Sequence, residues 1–185
     1  MSELSRRDFL AIAGTGVASV WLTANVHDLI AAGRHAQTAQ TFQYLTPADA
    51  AELEAFAAQI VPTDETPGAR EARVVYFIDK GLVTFAKDNR DNVAKWVKEL
   101  RDRAAKMQPG AKSFAALPVD KQIAIMKAME KDQKSSFENG RQATLAGMLA
   151  FPEHGGNYNK IGWKWIGFDD RFSWSAPFGW YDRNA

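Results

Sequence analysis

Residues 46–68 read TPADAAELEAFAAQIVPTDETPG, and this run sets the fold class. Thr46 offers an N-cap hydroxyl, Pro47 stands at a first helical position, and Asp49 places an acid at the third, a capping-box variant. Leu53, Phe56 and Ile60 then recur at helical spacing until Pro62 stops the helix. Thr63 to Gly68 forms a turn. In it, Thr63-Asp64-Glu65-Thr66 is expected to hydrogen-bond its own backbone and cap the next helix.

The same period continues outward. A second helix is predicted over about 69–85, with Val74, Phe77, Ile78, Leu82 and Phe85 on one face. A third, over about 92–107, turns Val93, Trp96, Val97, Leu100 and Met107 inward and is ended by Pro109-Gly110. Pro118 opens a fourth, carrying Val119, Ile123, Met126 and Met129. Ser135 or Ser136 caps a fifth, from Phe137 to about Leu149, with Leu145, Met148 and Leu149 as its apolar contacts. Strict alternation never persists long enough to argue a sheet. The reading is all-α, a small irregular helical bundle over residues 46–150, with no internal repeat.

At 185 residues the chain is long enough for a single core. Net charge is +1 with the two signs mixed, which argues against a nucleic-acid partner. Cysteine is absent. This excludes disulfides, thiolate metal sites, iron–sulfur clusters and covalent haem attachment in the chain itself.

Residues 1–45 read as a targeting segment and spacer. Arg6 and Arg7 precede Phe9, Leu10 and a moderately apolar run to about Val26, broken by Gly14 and Gly16. Paired guanidinium forks before a weakly hydrophobic run suggest a twin-arginine export signal. The plainer alternative is an N-terminal anchor, and a run of about eighteen residues sits at the short edge for a membrane span.

Residues 151–185 differ from everything before them. They hold four of the chain's six tryptophans, yet no helical or alternating period orders the rings, and glycines at 155, 156, 162, 167 and 179 break any continuous element. Rings in such a segment either close the chain's own core, stack on a sugar, or anchor a partner. The partner reading is preferred, with Trp163, Trp165, Phe168, Trp174, Phe178, Trp180 and Tyr181 as candidate anchors.

No catalytic set emerges. His27 and His35 fall in the signal or spacer, which leaves His154 beside Glu153 as the one acid–base candidate. Neighbouring side chains on an extended loop point apart, and spacing supplies no third member. The acids at Asp64-Glu65, Glu71, Asp79 and Asp169-Asp170 are read as structural, and they lack the alternating spacing of a calcium loop. Gly155-Gly156-Asn157 has no lysine placed for a phosphate loop. The expectation is no catalytic, cofactor-binding or metal residue here.

Two blocks carry a family resemblance. One is Pro152-Glu153-His154-Gly155-Gly156-Asn157, followed by Gly162-Trp163-Lys164 and Ile166-Gly167-Phe168. The other is Ile60-Val61-Pro62-Thr63-Asp64-Glu65-Thr66-Pro67-Gly68-Ala69-Arg70-Glu71-Ala72, with Val75 and Phe77-Ile78-Asp79. Together, over roughly residues 45–168, they resemble the gluconate 2-dehydrogenase subunit 3 family, small subunits of FAD-dependent gluconate and sugar dehydrogenases. The resemblance implies an accessory, non-catalytic subunit. FAD would lie in a large dehydrogenase subunit and haem c in a cytochrome subunit. The small subunit would carry the flavoprotein through the twin-arginine translocase to the periplasm. The rival reading is a stand-alone periplasmic carbohydrate-binding protein or hydrolase using Glu153, His154 and the neighbouring tryptophans.

Overall fold

The computed structural model describes residues 41–132, 134–171 and 173. Its first helix, α1 (Pro47–Ile60), begins as the sequence dictates. Thr46 is extended (φ −70°, ψ 155°), and its Oγ1 accepts the Asp49 N–H at 3.1 Å. Around α1 stand α2 (Val74–Val83), α3 (Arg90–Met107), α4 (Val119–Asp132) and α5 (Lys134–Leu149), and α1 packs against all four. That position explains why its alanines matter. Ala50, Ala55, Ala57 and Ala58 are buried with Leu53 and Phe56, so neighbouring helices approach closely on several sides. A five-residue helix, α6 (Ile161–Trp165), and short 3₁₀ turns at 87–89, 152–154 and 158–160 complete the described elements, among which there is no strand.

The core joins Phe56, Trp96 and Phe137 edge to face, with Phe77, Ile78, Leu100, Phe114, Met129 and Met148 around them. Two buried acids tie the bundle together. Asp79 on α2 accepts the backbone N–H groups of Gln43, Tyr44 and Leu45 at 2.7, 2.9 and 2.8 Å, pinning the chain that leads into α1. Glu52 on α1 is 1% exposed; it accepts Arg101 Nε of α3 at 3.0 Å and the Ala115 N–H at 2.9 Å. Burial alone would depress the Arg101 guanidinium, but Glu52 and Asp49 hold its pKa above the ordinary value. Gln122 of α4 donates to the carbonyls of Phe114, Ala115 and Leu117 and accepts from Gln59 of α1. The connection from α3 to α4 is thereby fastened from both sides.

Several boundaries and faces differ from the periodic reading. α2 starts at Val74, because residues 69–73 coil through turns and Arg73 takes a left-handed conformation (φ 57°). α3 starts at Arg90, two residues early, where Arg90 Nε donates to the Leu82 carbonyl at 2.8 Å. α5 begins at Lys134, so Ser135 and Ser136 lie inside it instead of capping it. Met107 is exposed at the last position of α3. On α4 the buried stripe is Gln122, Ile125, Met126 and Met129, leaving Val119 and Ile123 exposed. No described helix is long and apolar enough to cross a membrane.

Candidate functional site

The glycine–aromatic loop after α5 solves a problem that every helix end poses: its last carbonyls lack intrahelical donors. Here the following chain supplies them. Asn157 N–H donates to the Gly147 carbonyl at 2.8 Å, and Asn157 Nδ2 donates to the Ala150 carbonyl at 2.9 Å. Trp163 Nε1 donates to the Leu149 carbonyl at 2.8 Å. Asn157 is wholly buried, and its Oδ1 accepts the Gly162 N–H at 2.8 Å, so one side chain joins both halves of the loop. A Cβ on Gly162 would lie 1.8 Å from the Met148 carbonyl oxygen, which is why only glycine fits there. The loop also reaches α2's lead-in: Tyr158 N–H donates to the Ala72 carbonyl at 3.1 Å, and Arg73 lies 3.7 Å over the Tyr158 ring.

Of the predicted anchors, Trp163, Trp165 and Phe168 lie among the described residues. Trp163 is 7% exposed and its indole N–H serves the chain's own helix end, so it belongs to the domain's packing. Phe151 and Phe168 stand edge-on to Trp163 at 5.3 and 5.2 Å, and they are 58% and 48% exposed. The two exposed rings form an apolar face supported from beneath by a buried tryptophan, and Ile166, two residues before Phe168, is exposed as well. Trp165 is half-buried. In the same segment Lys160 pairs with Asp170 and Arg171 with Asp169. Trp174, Phe178, Trp180 and Tyr181 lie outside the described residues, as do Arg6, Arg7, Phe9 and Leu10.

The acid–base candidates are not gathered into a reaction centre. His154 is buried with its ring edge-on to Phe151 at 6.2 Å, whereas Glu153 is exposed. Among the described residues, no cluster of three or more His, Asp or Glu could hold a metal ion. The Thr63–Thr66 turn closes as expected, Asp64 Oδ1 accepting the Thr66 N–H at 2.8 Å. The turn caps no helix, since Arg73 at the N-cap of α2 makes no side-chain cap; Glu71 instead braces the turn, accepting Thr63 Oγ1 and the Gly68 N–H, both at 2.8 Å. The Thr63 hydroxyl in particular holds the Glu71 carboxyl below the ordinary glutamate range. Lys80 is buried, and desolvation lowers its pKa against the opposing pull of Asp79.

Sequence reasoning missed three residues that organise this architecture. Glu52 carries a detectable signal: it sits between Asp49 and Phe56 on the same stripe that buries Leu53. Gln122 and Asn157 bond backbone groups five to eight residues away across turns, which helical spacing does not reveal. Asp79 lies within one of the two family blocks, but its three amide donors come from residues 43–45.

Residues 47–170 match the family model described as gluconate 2-dehydrogenase subunit 3. Neither a curated protein nor a solved structure matches the chain. The family match spans both blocks singled out above, including the Asn157–Trp163 clasp and the Phe151–Phe168 face it supports. The chain belongs to the gluconate 2-dehydrogenase subunit 3 family.

Proposed function

We propose that this chain is the non-catalytic small subunit of a periplasmic FAD-dependent sugar or sugar-acid dehydrogenase. In this reading it escorts the flavoprotein through twin-arginine export and stabilises it afterwards. The observation that carries the proposal is the family match over residues 47–170. Its signature loop is built for structure: Asn157 and Trp163 close a helix end, leaving Phe151 and Phe168 exposed against Trp163. Exposed aromatic rings on a rigid support are the residue type that anchors protein interfaces. FAD belongs to the large subunit, and electrons pass from there to a haem c cytochrome subunit.

Arg6 and Arg7, with Phe9 and Leu10, supply the export address for the whole assembly. The test is to co-express the full chain with the flavoprotein and replace both arginines by lysine. The expected result is flavin-dependent dehydrogenase activity trapped in the cytoplasm. Unchanged periplasmic activity would overturn the escort role.

A further inference from the structure

Four non-glycine residues take positive φ among the described residues: Arg73 (57°), Asn157 (45°), Asn159 (55°) and Lys160 (59°). They meet at one junction. Arg73 lies over the ring of Tyr158, and the other three surround Tyr158 in sequence. Left-handed backbone disfavours an L-residue by roughly five- to thirtyfold, least for asparagine. Such residues persist only where their surroundings hold them, and their gathering at one place is the mark of a switch region. Lys160 is the clearest case. It is exposed, it stands at the N-cap of α6 without a side-chain cap, and its ammonium pairs with Asp170.

The segment these torsions hold is bonded into a unit of its own. The Lys160 N–H donates to the Asn157 carbonyl and the Gly162 N–H to Asn157 Oδ1, both at 2.8 Å. At its far end α6 closes in a Schellman turn about left-handed Gly167 (φ 72°). There the Gly167 N–H donates to the Lys164 carbonyl at 3.2 Å, and the Phe168 N–H to that of Trp163 at 2.8 Å. Hydrogen bonds from the unit to the bundle end on the carbonyls of Gly147, Leu149 and Ala150, around the C-terminus of α5, and on Ala72. Trp163 stays outside the principal core cluster, although Ile161 packs against it. A self-closed unit on two attachments, one of them strained, can part from a folded bundle in a single step.

We propose that residues 157–168 form a latch that opens while α1–α5 stay folded, and that a protein seated on Phe151 and Phe168 holds it shut. The closed form is the one described above. The open form is a minor population in which Trp163 and Phe168 part from Phe151. The holding role rests on the docking function proposed for those rings; the latch itself does not.

Native-state hydrogen exchange on the purified full chain tests the latch alone. The Gly162 and Phe168 amides and the Trp163 indole N–H should exchange at least about tenfold faster than the Leu53 and Phe56 amides inside α1. Lys160→Gly frees the torsion and should slow these clasp protons by about threefold or more, after the extra freedom of glycine is offset. Lys160→Gln keeps the torsion while removing the ion pair, and Lys164→Gly loosens a residue already helical, so neither should slow them. Clasp protons that exchange no faster than the α1 core, or that Lys160→Gly fails to slow, would overturn the latch. In the complex with the flavoprotein, the clasp protons should slow towards the α1 rate. Unchanged clasp exchange in an assembled complex would overturn the holding role and leave the docking reading standing. Failure to assemble would overturn the docking reading and the holding role together, with the latch decided by the free chain.

Discussion

Three backbone N–H groups converge on the Asp79 carboxylate, from Gln43, Tyr44 and Leu45. Asp79→Ala leaves those amides without their acceptor in a site 3% exposed. The expected loss is about 3 kcal/mol in urea unfolding, since each uncompensated buried polar group costs on the order of 1–3 kcal/mol and water relieves part of the set. Asp79→Asn, which keeps one acceptor oxygen, should lose roughly half as much. Glu71 gives the pH-dependent counterpart. Its folded pKa is lowered, chiefly by the Thr63 hydroxyl. Its contribution is therefore present above the ordinary glutamate pKa and is lost as pH falls through the lowered value. Stability of the parent minus that of Glu71→Gln should be largest near neutrality and vanish in acid. A difference that grows towards low pH would contradict this assignment.

At the scale of elements, the clasp on α5 sets the prediction. Gly162→Ala forces a Cβ towards the Met148 carbonyl oxygen, backbone against backbone, with no flexible side chain to yield. A loss of at least about 2 kcal/mol is expected, since such overpacking costs roughly 1–3 kcal/mol even in yielding cores. Gly110, with φ +88° but open space around a Cβ, should lose only about 1 kcal/mol on the same substitution. Thermal unfolding of the two variants separates a packing requirement from a torsional one.

The helices themselves were legible in the sequence, because Thr46-Pro47, the Leu53–Phe56–Ile60 stripe and Pro62 act locally. The late start of α2 was not, because Arg73 adopts positive φ where the Tyr158 segment docks on Ala72. The exposure of Val119 and Ile123 was equally hidden. An apolar residue at helical spacing does not reveal which of two adjacent stripes the neighbouring helix covers. The role of Trp163 lay beyond composition for a similar reason. Its acceptor, the Leu149 carbonyl, becomes available only once α5 ends.

Across the whole molecule, a tightly bonded core carries an exposed aromatic pair. Glu52, Asp79, Gln122 and Asn157 secure the bundle from inside, and the Asn157–Trp163 clasp presents Phe151 and Phe168 on a fixed base. Substitutions on that face should separate assembly from folding. Phe151→Asp with Phe168→Asp removes two rings that are about half exposed, so thermal unfolding should change little while partner binding falls sharply. The measurement that bears most directly on the central claim is a mild affinity purification of the tagged full chain from cells expressing the dehydrogenase. Flavin absorbance and subunit mass are read in the eluate, for the parent and the double variant. The account predicts a yellow, near-stoichiometric complex with the parent and a colourless, folded subunit with the variant. A parent chain that elutes alone and colourless would contradict it.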